Sequence, residues 1–293
     1  MTVDLTENPG LAPAAGTAAE VEPAALLVAA ARALETHRPD ALARDPYAEH
    51  LLRAAPAAAH WPRRPEDVPD GGADPLWGRL ARYFALQTRA FDDQVLRAVQ
   101  LGARQLVLLG GGPDTRAYRL DLPDDCTVYE VDRPELLTFK EHALAGTGAR
   151  PAARRRAVGT DLHTDWTGPL TDAGFRPDRP TAWLAEGLLL RLPGAAEPGL
   201  LDAVDRLSAP GSTLAYEARP GAGPATGFEG TGLEPAAPLD PGPRPDTTAH
   251  LAAHGWSTTL HTPFEFTRHY GRGPLPVPDD VLAAHRWVFA VRS

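Results

Sequence analysis

The stretch that most constrains the fold is Arg104-Gln105-Leu106-Val107-Leu108-Leu109-Gly110-Gly111-Gly112-Pro113-Asp114-Thr115-Arg116, followed by Val128-Tyr129-Glu130-Val131-Asp132. An apolar run breaks into three glycines, and a second apolar run ends on an acid. Apolar runs this short, bounded by turn residues, read as strands buried on both faces, and the glycines as a tight turn leading into a short helix. A turn of this kind lets a ligand approach bare backbone. An acid twenty residues after Gly112, at the tip of the second strand, is placed to accept hydrogen bonds from a ribose.

Alternation continues downstream. Strands are predicted at 105–109, 127–131, 154–159, 181–186, 212–217, 257–261 and 286–291, with helices at 114–119, 133–145, around 165–173 and at 197–208. Upstream, apolar residues at helical spacing predict helices over 23–37, from Pro46, and over 76–101, the last closed by Gly102. The fold class is α/β: a Rossmann-like seven-stranded sheet with an N-terminal helical extension. Residues 1–22 read as a flexible tail. Residues 23–293 read as one domain: a helical cap (23–102), a ligand-binding core (103–218), a Pro- and Gly-rich flexible loop (219–246) and C-terminal strands (247–293).

Composition narrows the function classes. The net charge of −9 over 293 residues argues against nucleic acid or an anionic membrane as partner. The one basic cluster, Arg154-Arg155-Arg156, reads as the solvated start of a strand. No apolar run approaches the roughly 20 residues of a membrane span. The N-terminus lacks the basic and apolar pattern of a secretory signal. The single cysteine, Cys126, forbids an intrachain disulfide and fits a reducing cytoplasm. The expected location is cytoplasmic.

Two ligand classes suit a glycine turn with a distal acid, dinucleotides and S-adenosylmethionine. The third glycine of the dinucleotide pattern is missing, Thr115 standing in its place, and no Gly-Lys-Ser/Thr follows, which excludes a P-loop. Dinucleotide sheets usually have six parallel strands; here the last two strands are close in sequence, which favours a partly antiparallel edge. Gly110 and Gly112 form the turn. Asp132 is expected to face the ligand and Glu130 to lie on the opposite side. After the third strand, Asp161 can accept from an exocyclic adenine amine while Leu162 covers the ring. After the fourth, Glu186 is one acid in an apolar run, a costly placement unless it is paired or faces a site. Four candidates thus fall at the C-terminal ends of four consecutive strands, where open α/β sheets bind ligands.

The segments AALLVAAARALETHRPDALARDPYAEHL, YFALQTRAFDDQVLRAV, LVLLGGGPDTRAYRL, VYEVDRPELLTFK, VGTDLHTDW and TAWLAEGLLLRLP resemble the leucine carboxyl methyltransferase-like family. The similarity is greatest to its actinobacterial O-methyltransferase branch, which includes natural-product (antibiotic) tailoring enzymes. The resemblance implies a class I methyltransferase fold, S-adenosyl-L-methionine as cofactor, cofactor contacts from the glycine turn, Asp132, Asp161, Leu162 and Glu186, and a small-molecule hydroxyl or carboxyl as acceptor.

Departures from the family pattern cluster near the cofactor's amino-acid arm. Where the family has an arginine that holds the cofactor carboxylate, this chain has Gln87, in Gln87-Thr88-Arg89. A neutral donor there makes a bond about half as strong as a charge-assisted one, and Arg89 lies about 200° around the helix. Pro113 replaces a common leucine and Arg191 a common tyrosine. These changes keep open a second reading, transfer of the 3-amino-3-carboxypropyl group to a phenolic oxygen, as in isonocardicin synthase-like enzymes, and a third, a non-catalytic binder.

No catalytic base is assigned: His163 and His142 read as surface histidines. His250 and His254 lie one helical turn apart, but Leu251 occupies the position where a zinc peptidase needs glutamate, so they read as structural and no metal is expected. No G-x-S-x-G is present, which leaves a serine hydrolase unsupported. The acceptor pocket is assigned to the helices before residue 100 and the loop 219–246. Acceptor identity and oligomeric state stay open.

Overall fold

The computed structural model describes residues 21, 23–219, 243–277 and 281–293. The tail expected at 1–22 and most of the loop expected at 219–246 lie outside them. The elements in chain order are α1 (Pro23–Thr36), α2 (Ala48–Ala54), α3 (Trp77–Gln100), β1 (Gln105–Leu109), α4 (Arg116–Arg119), β2 (Thr127–Asp132), α5 (Pro134–Ala145), β3 (Arg154–Gly159), α6 (Thr167–Asp172), β4 (Thr181–Ala185), α7 (Leu188–Arg191), α8 (Glu197–Arg206), β5 (Thr213–Ala218), α9 (Thr247–Ala253), β6 (Trp256–His261), α10 (Pro263–Tyr270) and β7 (Arg286–Arg292), with short 3-10 turns between some of them.

Among the described residues the strands form one sheet in the order β3-β2-β1-β4-β5-β7-β6. β1 is parallel to β2 and β4, β2 to β3, and β4 to β5, whereas β7 runs antiparallel to both β5 and β6. The mixed edge expected from the sequence is therefore present. The order reverses at β1, so the crevice at its C-terminal end is the topological switch point where open α/β sheets hold ligands.

All five residues of β1 are buried, as a parallel strand covered on both faces requires. Alternate side chains feed two cores. Val107 and Leu109 join Trp183, Tyr216, Trp166 and the α8 residues Leu200 and Val204. Leu106 and Leu108 join Leu184, Trp287 and the α3 residues Leu86, Phe91 and Val95. A third cluster, with Leu26, Leu27, Leu51, Leu52 and Trp61, seats α1 and α2 as a cap over α3 and α5.

Three short helices, α7, α9 and α10, were not anticipated. α9 begins where Asp246 caps the backbone amides of Thr248 and Ala249. α10 carries Pro263 in its first turn and ends on Gly271 at φ 70°, the proline-start, glycine-stop pattern of a helix. The basic cluster also differs from its solvated reading. Arg154 and Arg156 are exposed, but Arg155 reaches across to β2, pairs with the buried Glu130 at 2.7 Å and lies over the Tyr118 ring. Glu130 shares a face of β2 with Asp132, since side chains two apart lie on one side of a strand, so alternation does not separate them as expected; one pleat further back, it also meets Lys140 at 3.1 Å.

Candidate active site

Two cavities meet over the glycine turn. The first, of about 300 Å³, is lined by Gly110, Gly112, Asp132, Asp161, Leu162 and Leu188, among others. β1 ends by continuing its ladder, Gly110 N–H donating to Val131 O at 2.9 Å. The chain then turns sharply through Gly110 and Gly112, at φ 60° and 50°, conformations that L side chains rarely adopt. A Cβ on Gly110 would stand 2.9 Å from one Leu188 methyl and 3.5 Å from one Leu162 methyl. The glycine is what lets these two leucines close over the turn.

Asp132 ends β2, 7% exposed. Its Oδ2 accepts from Gly112 N–H at 2.6 Å and its Oδ1 from Arg133 N–H at 2.8 Å. Those bonds fix both oxygens at the cavity wall and leave lone pairs for hydroxyl donors. Asp161 lies at the outer rim, its Oδ1 accepting from the His163 amide and ring Nδ1 at 2.9 and 2.8 Å. The bond from the His163 amide, reinforced by the ring, holds its carboxyl below the ordinary value.

The second cavity, of about 250 Å³, shares Ala25, Gly110, Gly112 and Arg191 with the first. Its walls are mainly apolar, from α1 (Leu27, Val28), α3 (Leu80, Phe84) and α7 (Leu190), and its polar floor includes Gln87, Glu186, Glu217, Tyr83 and His285. Of the sequence-predicted residues, Gly110, Gly112, Asp132, Asp161 and Leu162 come together in the first cavity. Gln87 and Glu186 join the two glycines in the second.

Glu186 faces this cavity as expected, yet its carboxylate is engaged. Arg116, fully buried, pairs with Glu186 at 2.6 Å, with Asp92 at 2.7 Å and with Asp114. Arg119 closes on Asp92 from the other side. Burial opposes ionisation of Asp92 and Asp114, but the guanidinium groups outweigh it and hold both carboxyls below the usual range. The hub ties α3, α4, the glycine turn and the end of β4 into one block. Pro113 is tied in as well, its carbonyl accepting from Arg32 Nη2 at 2.9 Å.

Gln87, 1% exposed, donates its amide to Glu217, while its Oε1 is buried without a hydrogen-bond partner. A carboxylate only accepts, so the amide nitrogen faces Glu217 and the carbonyl is left for a donor. Arg89 points elsewhere, pairing with Asp93 at 2.9 Å. Neither His163 nor His142 lines the second cavity. His250 and His254 both reach Asp202 of α8, at 2.7 and 3.8 Å, bridging α8 and α9. Cys126 is buried, and burial raises its thiol to about 11.

Sequence reasoning missed Tyr83, Glu217 and His285. Glu217 carried the same signal as Glu186, an acid at the C-terminal end of an apolar strand. Its hydrogen bonds come from neutral donors: the Tyr83 hydroxyl at 2.8 Å, Gln87 and the Gly187 amide. Burial, with Glu186 nearby, pushes its carboxyl up from 4.5 to about 7. A raised carboxyl favours the folded state fully below its ordinary value, and that contribution is lost as pH rises through the folded value. Wild-type stability relative to the Glu217→Gln variant is therefore expected to fall by on the order of 3 kcal/mol between pH 5 and pH 8. Urea unfolding of both proteins at the two pH values measures the difference, and parallel behaviour would contradict a raised Glu217.

A profile of the leucine carboxyl methyltransferase family matches residues 25–205. The chain belongs to this family. A Streptomyces coelicolor relative named for S-adenosyl-L-methionine-dependent methyltransferase activity is 53% identical over 279 residues, covering 92% of each chain. A similarly named Mycolicibacterium gilvum relative is 42% identical over 281 residues, 91% of this chain and 92% of that one. Among solved structures, a DUF574 family protein from Streptomyces avermitilis shares the fold at TM-score 0.50 and 16% identity, covering 89% of this chain and all of that one. As a leucine carboxyl methyltransferase family member the chain is an S-adenosylmethionine-dependent transferase of class I fold, with S-adenosyl-L-methionine as its cofactor. The geometry fits that cofactor: a glycine cradle closed by two leucines, a fixed carboxylate beside it, and a buried orphan carbonyl on Gln87. Among the described residues, no helix is long and apolar enough to cross a membrane.

Proposed function

We propose that this family member is a cytoplasmic O-methyltransferase acting on a hydroxyl or carboxyl group of a small natural-product-type molecule. The observation that carries the reading is the junction of the two cavities: a nucleoside-sized pocket opens, across Gly110, Gly112 and Arg191, onto an apolar chamber.

Residue roles follow from placement. Asp132 holds the ribose hydroxyls, Leu162 and Leu188 enclose the adenine, and Asp161 receives its amine. Gln87 Oε1 accepts from the amino-acid ammonium, and Arg191, at the junction, meets the carboxylate. Glu186 acts through Arg116, keeping the turn and the chamber floor in register. The cofactor supplies a methyl made electrophilic by the adjoining sulfonium. What the protein adds is alignment of the acceptor oxygen and exclusion of water, which together can remove about 7–11 kcal/mol of barrier at best.

One observation favours the second reading. With Gln87 in place of arginine, the amino-acid arm is held differently, which bears on which sulfonium carbon is presented. The two reactions leave different by-products. Chromatography of a turnover mixture, with pooled small-molecule hydroxyls and carboxylic acids as acceptors, is expected to show S-adenosylhomocysteine. Methylthioadenosine as the sole product would replace methylation with aminocarboxypropyl transfer.

A further inference from the structure

The seam between α8 and α9 gathers three side chains that can ligate a metal, and none of them lines either cavity over the glycine turn. His250 in α9 and His254 just after it lie one helical turn apart, so both rings fall on one side. Asp202 of α8 faces them. His250 Nε2 stands 2.7 Å and His254 Nε2 3.8 Å from the same oxygen, Asp202 Oδ1, and the ring centroids are 4.8 Å apart. Among the described residues this is the one set of three histidine, cysteine or carboxylate side chains whose donor atoms converge, all within 4.8 Å of one another.

Hydrogen bonding fixes what one ring presents. His254 Nδ1 lies 2.9 Å from the backbone carbonyl of His250. A carbonyl only accepts, so Nδ1 carries the proton and the neutral ring turns its Nε2 lone pair toward Asp202. A lone pair and a carboxylate facing each other favour a cation between them. Anchoring the far ring nitrogen on a backbone carbonyl is also how metal-ligating histidines are held in orientation.

We propose that Asp202, His250 and His254 bind one divalent transition-metal ion of the zinc class, which cross-links α8 to α9. The proposal is independent of the transferase reading. Zinc takes imidazole nitrogen at about 2.0–2.1 Å and carboxylate oxygen at about 2.0–2.2 Å, so two such donors at a tetrahedral angle lie about 3.4 Å apart. The observed 2.7 and 3.8 Å bracket that spacing, and small side-chain rotations reach it. Two imidazoles select zinc, copper or nickel over magnesium or calcium, which prefer oxygen shells. On binding, the ring proton of His250 moves from Nε2 to Nδ1 through solvent, Nε2 takes the metal, and water completes the shell.

Leu251 excludes the zinc peptidase motif but not the ion. Asp202, 48 residues before His250, provides the ligand that local spacing lacks. The role is structural. α9 buries only Thr247 and Leu251, little surface with which to hold a helix in place, and a metal clip closing a long loop resists its opening. The other end of α9 brings Thr247 and Thr248 to a third cavity of about 300 Å³, which shares Leu190 and Arg219 with the apolar chamber. The ion thus steadies a wall beside that chamber.

The test titrates zinc chloride into tag-free protein stripped with a chelator. Calorimetry is expected to give one ion per chain, and zinc at about a hundred-fold excess over its Kd to raise the melting temperature by about 5 °C. Asp202→Asn, His250→Gln and His254→Gln are each expected to weaken binding at least about ten-fold, whereas His142→Gln, at an exposed histidine elsewhere, leaves it unchanged. Cobalt(II) in place of zinc is expected to develop the visible absorption of a tetrahedral site and to lose it in His254→Gln. Each variant is compared with its own metal-free form, so a weakened fold does not mimic a lost ligand. A wild-type protein that binds no zinc, as a purely hydrogen-bonded bridge between the helices predicts, would overturn the proposal. So would binding of equal strength in all three site variants.

Discussion

Replacing Arg116 by leucine is expected to lower the melting temperature by about 10 °C. The side chain has no solvent exposure and pairs with Asp92, Asp114 and Glu186. Removing one partner of a buried ion pair costs roughly 3–5 kcal/mol, because the remaining charge is stranded, and here three carboxylates are affected. Arg119 still meets Asp92, and Glu186 is partly exposed and can be hydrated, so the loss stays near one pair's worth. For a chain of this size each kcal/mol moves the midpoint by about 2–4 °C. The sign of the pH response changes as well. Wild-type Asp92 and Asp114 are held below the ordinary carboxyl range, so they contribute stability above that range which is lost as pH falls. In Arg116→Leu the buried acids favour protonation, and part of the lost stability is expected to return on acidification. Thermal unfolding of wild type and variant at pH 5 and pH 8 measures both effects. A variant melting within 2 °C of wild type would show that the hub is not structural.

Asp132→Ala is expected to weaken S-adenosylhomocysteine binding by about 100-fold while leaving the fold intact. Hydrogen bonds to a charged group contribute about 1.5–3 kcal/mol each, and on the proposed reading Asp132 serves both ribose hydroxyls. The substitution also releases the amides of Gly112 and Arg133, which Asp132 holds at 2.6 and 2.8 Å, so the turn itself loosens. Asp132→Asn separates the two effects: it keeps an acceptor for one amide but loses the charge, and an intermediate affinity is expected. Titration calorimetry at fixed salt gives the values, and an Asp132→Ala protein binding as tightly as wild type would remove Asp132 from the site.

The strands of the sheet were legible because a parallel strand buried on both faces is an unbroken apolar run, as in Leu106–Leu109, and the glycine turn was legible because its backbone angles exclude most other residues. Asp132 followed from its distance along the chain. What local pattern could not convey was partnership across the sequence. Glu186 was read as an acid facing a site, but only the folded chain shows that Arg116 already holds it. Tyr83 lies 134 residues from Glu217 and 202 from His285, and nothing near any of the three marks the other two. α10 was missed for a different reason. It buries only its first residue, Pro263, so it shows no clean apolar period, and its capping residues were the only signal available.

The antiparallel placement of β7 has a consequence for how the molecule is made. A nascent chain emerges at about 5–20 residues per second, and the strands and turns that form the nucleoside pocket are all synthesised by residue 192. The apolar chamber cannot close then. β5 gains its second neighbour only when β7 docks between it and β6, and His285, one residue before β7, arrives with it. The chamber floor, to which Tyr83, Gln87, Glu186 and Glu217 already belong, is therefore complete only once the segment carrying His285 and β7 has been made, well after the residues of the nucleoside pocket.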